Sequence, residues 1–208
     1  MERKERTRRA ILDAALSLGE ESSLGAVSLR QVAKEVGIVP TAFYRHFDSI
    51  EALGMALVDE SFVSLRAMLR DVRQADPTYG DIVDGSVAIL AQHVHDQRAH
   101  FLFIARERVA GPTLVRERIR HEIELAEREL ATDLALMPGV EVWTAEDLQI
   151  VSNLIVNAMV STAEAILNAR SPDAEAEIQH RSRTQLRMLL VGALNWRSDK
   201  AGRSPEGS

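Results

Sequence analysis

Apolar residues recur at helical spacing along almost the whole chain and never settle into strand-like alternation, so an all-α architecture is the fold class to expect. The best candidate for alternation, Val140-Glu141-Val142-Trp143, is too short to build a sheet. Ile11, Leu12, Ala15, Leu16 and Leu18 form one apolar stripe on a helix expected over residues 4–21. Ser28, with Gln31 three residues later, predicts a capping box for a second helix, which Gly37 closes. Pro40 opens a short third helix to Phe47. Asp48 or Ser49 caps a long fourth helix over 49–74, with Leu53, Ala56, Leu57, Leu65, Leu69 and Val72 inward. Breaks at Asp76-Pro77-Thr78-Tyr79-Gly80, Gly111-Pro112, Met137-Pro138-Gly139 and Ser171-Pro172 leave helices near 81–96, 98–109, 113–136, 144–170 and 173–197. The total is about nine helices. They divide into an N-terminal unit over 1–48, a body over 49–197 in which helix 49–74 is the connector, and a polar, disordered tail over 198–208.

The chain has 208 residues and no cysteine, which excludes a disulfide framework and thiolate zinc, and fits a reducing compartment. No apolar run approaches the roughly 18 residues of a membrane span, and the charged N-terminus leads into an amphipathic segment. A cytoplasmic protein without a membrane partner is expected. The net charge of −6 is unevenly divided. Residues 1–47 carry eight basic and six acidic side chains, so the remainder carries −8. Five of the basic residues fall within residues 1–9, among them Arg8 and Arg9. A local basic patch on an acidic body can bind phosphate while the body keeps the molecule soluble.

The stretch from Ser28 to Phe47 carries the most chemistry. Val32, Ala33, Val36, Ile38 and Phe43 supply apolar contacts between two short helices that meet at Gly37, the arrangement that sets a second helix into the DNA major groove. Arg30 can donate two hydrogen bonds to a guanine edge. Pro40, Thr41 and Ala42 sit at the start of the reading helix, and the methyl groups of Thr41 and Ala42 suit thymine methyls. Tyr44 and His46 can donate to phosphate, Arg45 can reach a base or a phosphate, and backbone amides at helix N-termini such as that capped by Ser28 bind phosphate too.

This string resembles the DNA-binding domain of the TetR family, with its apolar-Ser/Thr start, glycine turn and aromatic end, here Phe43-Tyr44-Arg45-His46-Phe47. The resemblance implies DNA contacts for Arg30, Thr41, Ala42, Tyr44, Arg45 and His46. Many members place a phosphate-binding Lys at the start of the fourth helix; Ile50 stands there in this chain, so one phosphate contact is expected to be lost or moved. A narrower similarity runs through residues 26–70, including Leu53-Gly54 and Val58-Asp59-Glu60-Ser61. It extends to Arg106-Glu107-Arg108 and Gln185-Leu186-Arg187-Met188, and it points to regulators of unsaturated fatty acid synthesis of the FabR/DesT type. It implies a long-chain acyl-CoA or fatty acid as effector, with no further cofactor.

The body then needs a dimer surface and a ligand site. The helix around Leu148–Leu167 is apolar over a wide arc and must be covered on two sides. Leu154, Ala158, Ala163 and Ile166 on it, with Leu186, Leu189, Leu190 and Leu194 on the last helix, are expected to build a four-helix homodimer interface. Leu90, Val94, Phe101, Phe103, Ile104, Ile119, Ile123, Ile155 and Met159 are candidates to line an apolar cavity. Arg106, together with Arg98 and Arg108, is a candidate cation for the phosphates of an acyl thioester. His93 and His95, two apart on a helix, do not face each other, and with His100 they make no metal-ligand spacing.

These features give an all-α chain with a three-helix helix-turn-helix DNA-binding domain ahead of a helical ligand-binding and dimerisation domain. The expected function is a ligand-responsive repressor on a palindromic double-stranded operator, controlling lipid genes. The alternative is a repressor of an efflux pump or catabolic operon that answers another apolar small molecule. No glycine-rich phosphate loop, nucleophile elbow or metal motif argues for an enzyme.

Overall fold

The computed structural model describes residues 2–74, 79–137, 139–140 and 142–197. Nine α-helices occupy the described residues, and no strand is found among them. They are α1 (Glu2–Gly19), α2 (Leu29–Val36), α3 (Pro40–Phe43), α4 (Ile50–Gln74), α5 (Tyr79–Asp96), α6 (Arg98–Ala110), α7 (Thr113–Ala135), α8 (Ala145–Leu167) and α9 (Pro172–Leu194). The expected disordered tail over 198–208, and most of the break around Pro77, lie outside the described residues.

The boundaries follow local chemistry. Ser28 Oγ accepts the Gln31 N–H at 3.2 Å and Gln31 Oε1 accepts the Ser28 N–H at 2.7 Å, a complete capping box for α2. Gly37 ends α2 at φ 73°, a left-handed position that side chains with a Cβ resist. Thr144 and Asp147 repeat the box at α8. A 3-10 turn at Leu24–Ala26, absent from the sequence reading, lies between α1 and α2. Helix α3 stops at Phe43 rather than Phe47. Its continuation tightens into i to i+3 bonds, Arg45 N–H to Ala42 O at 3.2 Å and His46 N–H to Phe43 O at 2.8 Å.

Three apolar clusters hold the helices together. The first joins Ile11, Leu12 and Ala15 of α1 to Leu24, Val32, Phe43 and Phe47. It continues without interruption through Leu53, Leu57, Val58 and Phe62 of α4 into Phe103 of α6 and Val115 and Ile119 of α7. The second packs Met68 of α4, Leu90, Ala91 and Val94 of α5 and Phe101 of α6 against Ala163, Ile166 and Leu167 of α8. The third sets Val83 and Val87 of α5 on Leu186 of α9. Helix α4 thus enters both the N-terminal core and the body.

The tightest crossing in the first cluster is at Gly54. A Cβ there would collide with Leu24 Cδ2 and lie 2.9 Å from Val115 Cγ2, both on buried residues. In an open helix Gly→Ala stabilises by about 0.5–1 kcal/mol, but overpacking a filled core costs about 1–3 kcal/mol. Gly54→Ala is therefore expected to lower stability by about 1–2 kcal/mol in urea unfolding. A gain in stability would show that the crossing has slack.

Candidate functional site

The first candidate surface is the outer side of α2 and α3. Arg30, Pro40, Thr41, Tyr44 and Arg45 are exposed there, and Ala42 and His46 are half-buried. Phe43 is fully buried and packs edge-on against Tyr44, with ring centroids 6.0 Å apart. Its anchoring turns Tyr44 and Arg45 outward. His46 Nδ1 is buried and has no partner among the described residues. Ser28 is exposed but its hydroxyl is engaged in the α2 cap.

The basic N-terminal segment is helical and part of α1. Arg8 lies over the Phe47 ring at 4.8 Å, a cation–π contact beside the reading helix. Arg9 turns toward the body instead: Nε pairs with Asp13 at 3.0 Å and Nη1 with Glu60 of α4 at 2.6 Å. The structure therefore sets Arg8 beside the end of α3 and engages Arg9 in an ion pair with α4.

Beneath this surface, polar ties fasten it to the body. The Leu24 N–H donates to Glu107 Oε1 at 2.8 Å. Glu107 is 1% exposed, and burial raises its pKa above the ordinary carboxylate range, against the pull of that bond and of Arg106. Arg106 donates to the Gly19 and Glu20 carbonyls at the end of α1. His100 Nδ1 meets Ser61 Oγ at 3.0 Å, and Ser61 donates to the Leu57 carbonyl at 2.7 Å. Burial lowers the pKa of His100; Glu60, whose carboxylate is 3.8 Å from Nε2, opposes the shift, Arg9 adds to it and Asp13 opposes it. None of these ties was legible in the sequence, because no spacing marks a polar side chain that folds inward; only the resemblance singled out Arg106-Glu107-Arg108.

The second candidate site is a cavity of about 530 Å³, open on one side and lined by α4 to α9. Leu90, Phe101, Ile104, Ile123, Ile155 and Met159 line it, joined by Phe62, Leu65 and Met68 of α4. The cavity contacts expected of Val94, Phe103, Ile119 and Arg106 are not made. Phe103 and Ile119 are buried in the N-terminal core, Val94 in the second cluster, and Arg106 holds the end of α1. Arg98 caps the Leu167 carbonyl at 2.9 Å, and Arg108 lies in the wall, paired with Glu164. His93 pairs with Asp71 and His95 with Glu175.

The last two helices also present an apolar outer side. Ile150 and Leu154 of α8 and Met188, Val191 and Leu194 of α9 are exposed, as is Trp196. Ala158, Leu189 and Leu190 are half-buried. The partner surface expected at Ala163, Ile166 and Leu186 is not available there, because these three face inward. Ala163, Leu186 and also Leu190 line the cavity, and Ile166 fills the second cluster. A wide apolar arc has two sides, and sequence does not tell which residue takes which.

Residues 11–57 match the model of the bacterial regulatory proteins, tetR family. Among solved structures of similar fold is Salmonella enterica GusR, at 23% identity and a TM-score of 0.68 over 92% of this chain and 96% of that one. A transcriptional regulator (TerR/AcrR family) from Aquifex aeolicus VF5 matches at 16% identity and 0.65, over 88% and 99%. The fatty acid degradation regulator FadR from Bacillus halodurans matches at 15% and 0.67, over 89% and 95%. The N-terminal residues 11–57 are thus of the tetR DNA-binding type, and about nine-tenths of the chain shares the all-helical fold of these regulators.

Two measurements probe this geometry. Arg30→Ala is expected to relax sequence preference at one operator position, with a loss of about 1–3 kcal/mol there; an unchanged preferred site in a selection experiment would refute base contact by Arg30. The second concerns His100, whose folded pKa lies below its unfolded value. Its contribution is fully present above the unfolded value of about 6.5 and is lost as pH falls through the window down to the folded one. Glu107, with its pKa raised, acts in the opposite sense: its contribution is present below its unfolded value and is lost as pH rises through the folded one. The difference between wild type and His100→Asn isolates the histidine. The wild type should lose more stability than the variant between pH 7.5 and 5.5, and parallel denaturation profiles would contradict the assignment.

Proposed function

We propose that this chain, with a tetR-type reading domain at its N-terminus, is a ligand-responsive transcriptional repressor. It acts as a homodimer on a palindromic operator and answers a long apolar effector held in the cavity. The observation that carries this reading is the sharing of α4. Its first half, with Leu53, Leu57 and Val58, belongs to the core under the DNA-reading surface, while Phe62, Leu65 and Met68 line the cavity. An effector that prefers one setting of α4 biases the spacing of the two reading heads, and a dimer whose heads lie about 34–36 Å apart fits successive turns of B-DNA. The exposed apolar side of α8 and α9 supports the dimer, since a contiguous apolar face of this kind is otherwise a liability.

The effector we favour is a long-chain acyl group, as a fatty acid or acyl-CoA, and the genes controlled are those of lipid metabolism. The almost wholly carbon lining supports an acyl chain, as does the similarity of residues 26–70 to regulators of unsaturated fatty acid synthesis. The likeness to a fatty acid degradation regulator agrees in fold. A second reading, an efflux or catabolic repressor answering another apolar small molecule, draws on the same apolar lining; the acidic side chains Asp133 and Glu164 in that wall would suit a cationic inducer only if it displaced Arg108 from Glu164.

Fluorescence anisotropy on the chain's own promoter and on promoters of fatty acid synthesis and desaturase genes, at fixed salt, tests the proposal. Selective binding that shifts by about tenfold or more with a long-chain acyl thioester is the expected result, a coupling of about 1.4 kcal/mol. Selective binding indifferent to every acyl chain would remove the lipid reading. Binding indifferent to sequence would remove the repressor.

A further inference from the structure

The side chains of the cavity wall are apolar except for four: Ser86, Arg108, Asp133 and Glu164. Two of these meet. Arg108 of α6 donates from Nε at 2.8 Å and from Nη2 at 2.6 Å, both to one oxygen, Oε1, of Glu164 on α8. Each side chain keeps about a third of its surface open, 34% and 32%. Because both bonds converge on Oε1, Glu164 Oε2 remains an acceptor and Arg108 Nη1 a donor, and neither takes a bond among the described residues.

We propose that the Arg108–Glu164 pair is the recognition point for the polar end of the effector, and that it selects an uncharged, hydrogen-bonding group on a long apolar body. An ester or thioester carbonyl, an amide or a hydroxyl qualifies; a free carboxylate or an amine does not. The inference rests on the reading of the cavity as the effector site. A carbonyl oxygen can accept from Arg108 Nη1, and a hydroxyl can donate to Glu164 Oε2, while the ion pair stays intact. A carboxylate has to share Arg108 with Glu164 or displace it. Sharing sets two anions within a few ångströms in a poorly hydrated wall, and displacement leaves Glu164 desolvated and unpaired. An amine meets the mirror problem at Arg108. Among acyl compounds the pair therefore favours the thioester, with its phosphates outside, over the free acid.

The test is displacement of an environment-sensitive apolar dye from the full-length protein by four probes of matched chain: methyl palmitate, hexadecanol, palmitate and hexadecylamine. In the wild type the ester and the alcohol are expected to bind at least tenfold more tightly than the other two. Glu164→Gln frees Arg108 and should raise palmitate by tenfold or more relative to the ester; Arg108→Gln should do the same for the amine. The double variant removes both charges together, and it should keep the ester and lose the discrimination. Palmitate binding as tightly as the ester in the wild type, or one order of affinities in all four proteins, overturns the proposal. If a single variant does not fold, the wild-type order still decides. If no probe displaces the dye, the effector-cavity reading itself falls, an outcome distinct from binding without discrimination.

Discussion

The environment of Leu24 fixes how the DNA-reading domain sits on the rest of the molecule. Its side chain is buried against the bare backbone of Gly54 in α4, and its N–H is held by the buried carboxylate of Glu107 in α6. A rotation of α1–α3 on the body would expose Leu24, leave its amide unpaired, and strand Glu107 in an apolar setting. An unpaired buried polar group alone costs about 1–3 kcal/mol, so these losses together favour one seating of the domain. Glu107 is itself tightly placed, for a Cβ on Gly111 would lie 2.7 Å from its Oε2 and 2.5 Å from its carbonyl oxygen. The reading surface is therefore fastened to two helices, and both of these go on to line the cavity.

A second set of ties keeps α4 from sliding independently. Glu122 of α7 is 4% exposed, and its two oxygens are taken by Arg66 of α4 at 2.8 Å and Arg118 at 2.9 Å. Arg118 also reaches Asp59 of α4 at 2.9 Å. Exposed ion pairs contribute little, but a buried carboxylate between two guanidinium groups strongly disfavours losing either partner. Helix α1 is joined to the same helix chiefly by the shared apolar core of Ile11, Leu12 and Ala15 with Leu53 and Leu57, to which the more exposed Arg9–Glu60 pair adds little. Displacement of α4 consequently carries α1 and α7 with it, as the proposed coupling between cavity and reading head requires.

What the sequence disclosed was what repeats or what stands at a helix end. Helical spacing gave the all-α architecture, and Ser28, Gln31 and Gly37 marked the start and end of α2 by their own side-chain and backbone chemistry. The exposure of Tyr44 and Arg45, the candidate DNA contacts, follows from their place just after the buried aromatic anchor Phe43. Arg9 reads as a phosphate ligand in one dimension and turns out to be matched by Glu60, which is fifty-one residues away and invisible to spacing. Phe103 and Phe101 illustrate the same limit. Two residues apart on α6, they fall on opposite sides of the helix, one into the N-terminal core and one onto the cavity. Apolarity predicts burial but not against what. The Arg108–Glu164 pair lay beyond any sequence reading, since it joins two helices whose facing is decided only by packing.

Helix α8 shows how the two proposed activities of the body depend on one element. Contrary to the expectation that no apolar run approaches the length of a membrane span, it is long and apolar enough for one by length and composition, yet only 28% of that stretch is buried within the chain. Its inner side, with Ile155, Met159 and Ala163, lines the cavity, and Glu164 on that side reaches Arg108. Its outer side exposes Ile150 and Leu154. On the proposed reading a partner protomer covers that outer side, which removes the exposed apolar surface and accounts for the composition without a bilayer. The wall of the cavity would then be clamped from outside by the dimer, so an effector could make room more readily by moving α4 and α6 than by moving α8. Those are the two helices that hold Leu24, so on the proposed reading the strain of a filled cavity would be directed toward the reading domain.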